Sequence, residues 1–579
     1  MPNNSGAAPP EPPSLQKRLP LALALMMLVL LVSQYLFKPA PGPKPVTPTS
    51  KEPPAAVVKK PAAPSANENV APAPGGSQIQ ADAEALNTID TDLYRIVFSN
   101  RGAVVKSWVL KKFQDDAGRP LELINTAAKN VPEAFSIDFT GQKPSFDPDT
   151  VLYQAKVLPD EKGIEYEYSD GSTTIRKSFV FSRDSYLSTI KSTVLQGSTP
   201  IPHLLSWRGG FGDQTVRAAS AAVHTVHYDA GASKLITKSA KDAKNGPFTD
   251  SGNFTFGGIE DTFFAAVALP AEGNSLEVRT YSDNVTLPHE EKPSAYAGVG
   301  VASGPQNDLS LFVGPKDIDI LRQVNPKLGT IINWGFFGVI ARPLFLWLNW
   351  TRDHWTANYG WAIVVVTLII NIALFPLRLS SLKSARRMQK LQPQIQAINA
   401  KYKNISLRDP RKAEQNQEVM ALYKKEGVNP VGGCLPMLIQ LPFLYAFYQV
   451  LSIAIELRHA PWLWVKDLSA AESLPIHLLP IILVVTQFFS QKLTPAAGVD
   501  PNQQRMMLFM PLLFGFMFYY LSAGLVLYYL TGNLVGIAQQ LIINRFMPTP
   551  PSSAASVTPA NKGAPPKSPV KGTVKSKSA

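Results

Sequence analysis

Between residues 93 and 314 apolar and polar positions alternate, with turn residues breaking the runs. LYRIVF (93–98) is followed by SNRG and AVVKSWVL (103–110), and TIRKSFVF (174–181) by SRDS and YLSTIKSTVL (186–195). SLEVRTY (275–281) and LSLFVG (309–314) repeat the pattern. Side chains alternate across a strand, so period two predicts strands, and many short strands with almost no helical periodicity predict an antiparallel β-sandwich over 85–325. Further on the period is lost in apolar stretches near 358–378, 430–454, 475–492, 506–521 and 524–544. Each has about the 20 residues that a bilayer requires of a helix. A sixth, LPLALALMMLVLLVSQYLF (19–37), follows Lys17 and Arg18. Its length and the lack of an A-x-A site favour an uncleaved signal anchor over a cleaved signal peptide.

Two segments fit neither pattern. GTIINWGFFGVIARPLFLWLNWTRDHWT (329–356) is aromatic but interrupted by Arg342 and Pro343, with Trp334, Trp347, Trp350 and Trp355 inside it and Trp361 just beyond. Tryptophan collects at the headgroup level, so 328–355 is expected to lie along the outer membrane face as an amphipathic helix. Residues 379–428 read as a helical hairpin, with Met388, Leu391, Ile395 and Ile398 at three- and four-residue spacing and a turn at NISLRDP.

Charge orients the spans. Residues 378–428 hold twelve Lys/Arg against four acids, and the tail from Arg545 holds six basic residues and no acid. Residues 457–475 carry two of each sign. The positive-inside rule then places both termini (1–18 and the basic tail 547–579) and the hairpin in the cytoplasm, and the domain between the first two spans outside it. The Pro/Ala/Lys-rich stretch 38–84 is expected to be a flexible linker. The basic hairpin, including Lys383, Arg386, Arg387 and Lys390, is either the ordinary excess of a cytoplasmic loop or a docking arm for lipid headgroups or ribosomal RNA; the two readings are compatible.

Catalytic and metal chemistry find no motif. There is one cysteine, Cys434, and His203, His224, His227 and His289 are scattered. On a strand His224 and His227 would face opposite ways, which suits no shared ligand. No cofactor, metal or DNA is expected, and no enzymatic activity. The spans hold no ionisable residue at mid-membrane, where a pump or transporter needs one. They hold amides and hydroxyls: Asn371, Gln440, Gln449, Thr486, Gln487, Ser490, Gln491, Tyr528, Tyr529, Thr531 and Asn533. Arg378 follows Asn371 by seven residues, on nearly the same helical face and about 10 Å along the axis. A polar cavity open to the cytoplasm would account for them together.

NPVGGCLPMLIQLPFLYAFYQVL (429–451), KLQPQIQAI (390–398) and SAGLVLYYLTGNLVGIAQQ (522–540) resemble the YidC membrane-protein insertases, and the segment order resembles their Gram-negative form. The resemblance implies an inner-membrane protein of six transmembrane helices: the anchor and a five-span core over 356–546. It also implies a periplasmic β-supersandwich and a cytoplasmic hairpin. The expected function is insertion and folding of nascent membrane proteins through a hydrophilic groove, alone or with the Sec translocon. Ribosomes, through the basic tail and hairpin, and anionic lipids are the further expected partners. Tyr529 matches a groove position that contacts clients, and Gln487 or Gln491 matches a groove amide. Asn371, Arg378, Gln440, Tyr528 and Asn533 complete the expected client-binding set. The sequence departs from most relatives at Asn371, where they carry an arginine; Arg378 is the nearest basic residue on that face. A channel or transporter with an exported sensor domain is the alternative. A membrane-anchored carbohydrate-binding protein is a third reading, which leaves the hairpin and the groove residues without a role.

Overall fold

The structure is a computed structural model, and it describes residues 78–158, 162–216, 219–271, 273–288, 292–402, 409–428, 435–493 and 501–546. The expected anchor 19–37, the N-terminus 1–18, most of the linker 38–84, the tail 547–579, His289, Cys434 and the start of the 429–451 motif lie outside the described residues.

The alternating runs fold as strands. TTIRKSFVF (Thr173–Phe181) buries every second residue, among them Ile175, Lys177 and Phe179, and turns the others toward the surface. Its neighbour Leu187–Gln196 continues the same antiparallel ladder. Together with Gly163–Ser169, Phe264–Pro270 and Asn307–Pro315 they form part of a ten-stranded sheet. A five-stranded sheet, from Phe248–Gly252 through Leu276–Val285, Ser294–Ala302 and Leu204–Trp207 to Ser136–Asp138, packs against it. A four-stranded sheet of Leu86–Asp90, Tyr94–Ser99, Val104–Gln114 and Pro120–Glu122 completes the domain. The core is aromatic: Trp108, Phe135, Phe179, Phe181 and Trp207 meet at ring-centroid distances of 5.6–6.3 Å. At Gly257 the two large sheets approach so closely that a Cβ would sit 2.3 Å from Val278 Cγ2, so only glycine fits. His203 and His227 are buried within the β domain, and His224 is half-buried. His203 is held by Ser192 at 2.8 Å and the Ile201 carbonyl at 2.9 Å, and burial pushes it down to about 4. His227 lies against Phe254.

Helix α1 (Ile318–Val324), capped by Asp317, leads out of the β domain. Helix α2 (Gly338–Thr351) runs into a π-helical turn, Arg352–Thr356, and left-handed Ala357. The chain then bends by 111° into α3 (Tyr359–Ala373), whose first turn is capped by Asn358. Trp350, Trp355 and Trp361 are exposed around this corner, a placement that suits a helix lying along a membrane face.

The span expected near 358–378 is interrupted. Pro376 has no N–H to continue the ladder, and α3 gives way at Leu374 to α4 (Phe375–Lys390). Pro393 has the same effect at Leu391, so the first hairpin limb is split between α4 and α5 (Gln392–Lys401). Helix α6 (Arg411–Lys425) packs against α5. Met388, Leu391, Ile395, Tyr423 and Val428 form a small core of their own there; Ile398 is only half-buried and stands outside it.

Four helices follow: α7 (Leu435–Ile453), α8 (Leu478–Leu493), α9 (Pro501–Tyr519) and α10 (Ala523–Phe546). Helix α10 is central, packing on α3, α7 and α8. By length and apolar composition one described helix, α10, can cross a membrane, or two if the bent α2–α3 pair is one span. Helix α8 and the Phe509–Tyr519 part of α9 are apolar but shorter. The six-span count is not fixed by these lengths.

Candidate polar groove

Helix α10 is where the polar side chains meet. Tyr528, Gly532, Gly536 and Gln539 are three or four residues apart, so they share one buried face. Tyr528 stacks on Phe447 of α7 at 4.0 Å, and its hydroxyl bonds to the Gln440 side chain. One turn on, Gly532 faces Asn371 of α3 and Gln440 of α7: a Cβ there would lie 3.9 Å from both amide nitrogens, in ordinary contact with each. Asn371 donates to the Thr367 carbonyl of its own helix at 2.8 Å, and its backbone carbonyl accepts from Gln539 Nε2 at 3.2 Å. Arg378, one turn into α4, reaches across to α10, where Nη1 donates to Gln539 Oε1 at 3.1 Å. Among the described residues no carboxylate pairs with Arg378.

The other expected residues divide. Asn533 donates to Gln487 Oε1 at 2.7 Å, a second polar contact on the α8 flank of α10. Tyr529 is turned away from the row; its ring stacks on Phe518 of α9 at 5.0 Å, because the next position on a helix is rotated by about 100°. Gln491 is half-buried near the end of α8. Gln449 donates to the Asn333 carbonyl, beside the aromatic entrance rather than the row. Lys383, Arg387 and Lys390 are exposed on α4, whereas Arg386 is half-buried and bonds to Asn544 of α10 at 2.6 Å.

Gln539 links Asn371 to Arg378 and was not singled out from the sequence. It is the penultimate residue of the 522–540 motif, and its place one turn beyond Gly536 on the face of Tyr528 is the signal that could have found it. Thr367 and Thr531 spend their hydroxyls on carbonyls of their own helices, at 2.6 and 2.8 Å.

Residues 86–347 match the model of the YidC periplasmic domain, and residues 350–550 match that of the 60Kd inner membrane protein. The membrane protein insertase YidC of Geotalea daltonii is 33% identical over 547 residues, covering 92% of this chain and all of the relative. This chain belongs to the YidC family. The YidC insertase of Citrifermentans bemidjiense is 34% identical over 561 residues, covering 92% of this chain and 99% of its own. A crystal structure of an active YidC insertase with its first transmembrane domain resolved is 21% identical; the match covers 80% of this chain and 94% of that one, with a TM-score of 0.34. As in the family, the domain of three sheets is the periplasmic domain and the chain is an inner-membrane protein.

Proposed function

We propose that this protein inserts and helps to fold integral membrane proteins by offering the polar segment of a client a hydrophilic groove along the inner face of α10. As a YidC-family member it is an insertase rather than an enzyme. The observation that carries the groove reading is the row Tyr528–Gln440, Asn371–Gln539–Arg378, which gathers amides and a guanidinium from three helices onto one face of a fourth. A polar segment costs several kcal/mol per unsatisfied group in hydrocarbon, on the order of 4–8 kcal/mol for an amide. Side chains that replace part of its hydration lower that barrier without ATP.

The six-span topology belongs to this proposal, with both termini and the α4–α6 hairpin cytoplasmic and α2 along the outer face. So do cooperation with the Sec translocon, ribosome contact through the tail and hairpin, and contact with anionic lipids. The exposed Lys383, Arg387 and Lys390 support the last two. The test is reconstitution: the purified protein in lipid vesicles should insert a small single-span client that protein-free vesicles leave accessible to protease. Equal protection in both would refute the proposal.

A further inference from the structure

Strand Ser294–Ala302 carries glycine at 298 and at 300, and glycine inside a strand weakens it. The reason is spatial. A Cβ on Gly300 would stand 2.9 Å from the Tyr281 hydroxyl, and one on Gly298 would stand 3.1 Å from Arg208 Cα and 3.2 Å from Asp283 Oδ2. Val278 meets Gly257 of the ten-stranded sheet, so Arg279 and Tyr281, on alternate positions, lie on the opposite face of the five-stranded sheet. Across the bare glycines the Tyr281 hydroxyl donates to Asp138 Oδ2, and Arg279 Nη1 donates to the same oxygen at 3.0 Å. Two strands lie between theirs and that of Asp138.

These side chains, with the turn 243–247, line a cavity of about 380 Å³. That size falls in the range of small-molecule sites, roughly 300–1,000 Å³. Arg208 lies over the Tyr281 ring at 4.6 Å and is held by Asp283, with Nε 3.3 Å from Oδ2. Each guanidinium has five donors, and the carboxylates take only some of them. Arg279 Nε is buried and has no partner among the described residues. The exposed Lys244 ammonium, at the same cavity, has none there either. Three cations therefore stand against two carboxylates, Asp138 and Asp283. The ion pairs fix the guanidiniums in place, and the excess positive charge suits an arriving oxyanion, which would form charge-assisted bonds with them.

We propose that this cavity of the periplasmic domain binds a soluble phosphate monoester of a hydroxyl-bearing small molecule. Arg208, Arg279 and Lys244 take the phosphate, whose two negative charges match three cations better than the single charge of a carboxylate. Tyr281 and Arg279 both use Oδ2 of Asp138, which leaves Oδ1 to accept from a hydroxyl. The same carboxylate repels a bare anion, and an inorganic ion leaves most of the cavity unfilled, so the hydroxyl-bearing body is part of the recognition. An apolar ligand would strand the donors without water. The site lies wholly in the β domain and does not depend on the groove reading.

The test is isothermal titration of the full-length protein in detergent with three probes: glycerol 3-phosphate, inorganic phosphate and glycerol. Glycerol 3-phosphate should bind saturably at one site per chain and more tightly than inorganic phosphate, and glycerol alone should not bind. Arg279→Gln should weaken glycerol 3-phosphate roughly tenfold, the scale of one lost charge-assisted bond. Arg279→Lys, which keeps the charge but not the planar fork, should recover part of that loss. Lys244→Ala removes an exposed side chain without a partner, so it should leave the melting temperature unchanged and weaken binding about threefold. That variant keeps the test open should Arg279→Gln fail to fold. No binding of glycerol 3-phosphate, or binding that Lys244→Ala leaves unchanged, would overturn the proposal. Equal affinity for inorganic phosphate would overturn it too, because the hydroxyl-bearing body would then contribute nothing.

Discussion

Lys177 sits inside the β domain with its ammonium on the carbonyls of Gly102, Ala103 and Phe135, at 2.8, 3.3 and 2.8 Å. All three of those residues have positive φ (73°, 48° and 66°), which for alanine and phenylalanine is strained, so the lysine holds together loops that cost energy to shape. Lys177→Met orphans the carbonyls while relieving the burial of a cation, and we expect a net loss of about 2 kcal/mol, read by urea unfolding with tryptophan fluorescence. Burial pushes Lys177 down from 10.5 to about 8. The unfolded lysine then holds a proton that the folded one gives up between those values, so stability should rise with pH from about 8 to 10.5. The cost is fully present below pH 8. The methionine variant should flatten that rise, and an equal slope in both proteins would contradict the assignment. At the other end of the chain, Asn371→Leu with Arg378→Ala should impair client insertion more than either change alone, and Asn371→Arg with Arg378→Ala should recover much of the loss. Equal insertion by Arg378→Lys and Arg378→Ala would mean that the arginine merely anchors its helix at the lipid phosphates.

The segment between α7 and α8 is bound to the β domain more firmly than its composition suggests. Arg458 is buried against Asp213, donates to the Gln114 carbonyl at 3.0 Å, and lies over the rings of Phe263 and Phe264 at 5.3 and 5.4 Å. The same segment sends Trp462 against α3, where a Cβ on Gly360 would come within 2.1 Å of the indole. Helices α3, α7 and α8 thus share one bracket at the periplasmic end. Asp213 is itself buried, so Arg458→Ala strands a carboxylate and should cost about 3–5 kcal/mol. Adding Asp213→Asn should recover part of that loss, and thermal melts of the two single variants and the double variant measure the coupling. Purely additive losses would mean that the pair contributes no coupling.

The whole molecule combines a periplasmic domain with a helical part whose expected cytoplasmic segments are strongly basic. The expected flexible linker 38–84 would leave the β domain separable on one side, whereas Arg458 ties that domain to the helical part. Deleting 85–310 while keeping α2 should leave most client insertion in place but lower the melting temperature of the helical part, because Arg458 loses Asp213 and both phenylalanines. Complete loss of insertion in a stably accumulating deletion would refute that division of roles. The acid-free tail and the exposed basic residues of α4 point to an electrostatic partner, and ribosome co-sedimentation should fall steeply with salt and weaken on removal of 547–579. Salt-insensitive binding would count against it.

Much of the architecture was open to reading in the residues. Alternation is a property of neighbours along the chain, so the strands at 94–99, 104–114, 173–181 and 187–196 stand within a few residues of where period two put them. The aromatic corner before α3 and the small core of the hairpin were legible for the same reason. Pro376 was visible too, yet its effect was missed, because the apolar run continues through it and composition alone does not register a lost N–H. The polar row was legible only as a set of residue types. That Tyr528 rather than Tyr529 joins it depends on which side of α10 meets α7, and that Arg378 finds Gln539 depends on two segments 161 residues apart. Arg458 and Asp213 are 245 apart, and nothing near either one announces the other. A local pattern carries the period of an element and the face it will bury. The partner that each polar side chain meets on that face is chosen by the packing of distant elements, where an unpaired donor or carboxylate costs more than the exposure it gave up.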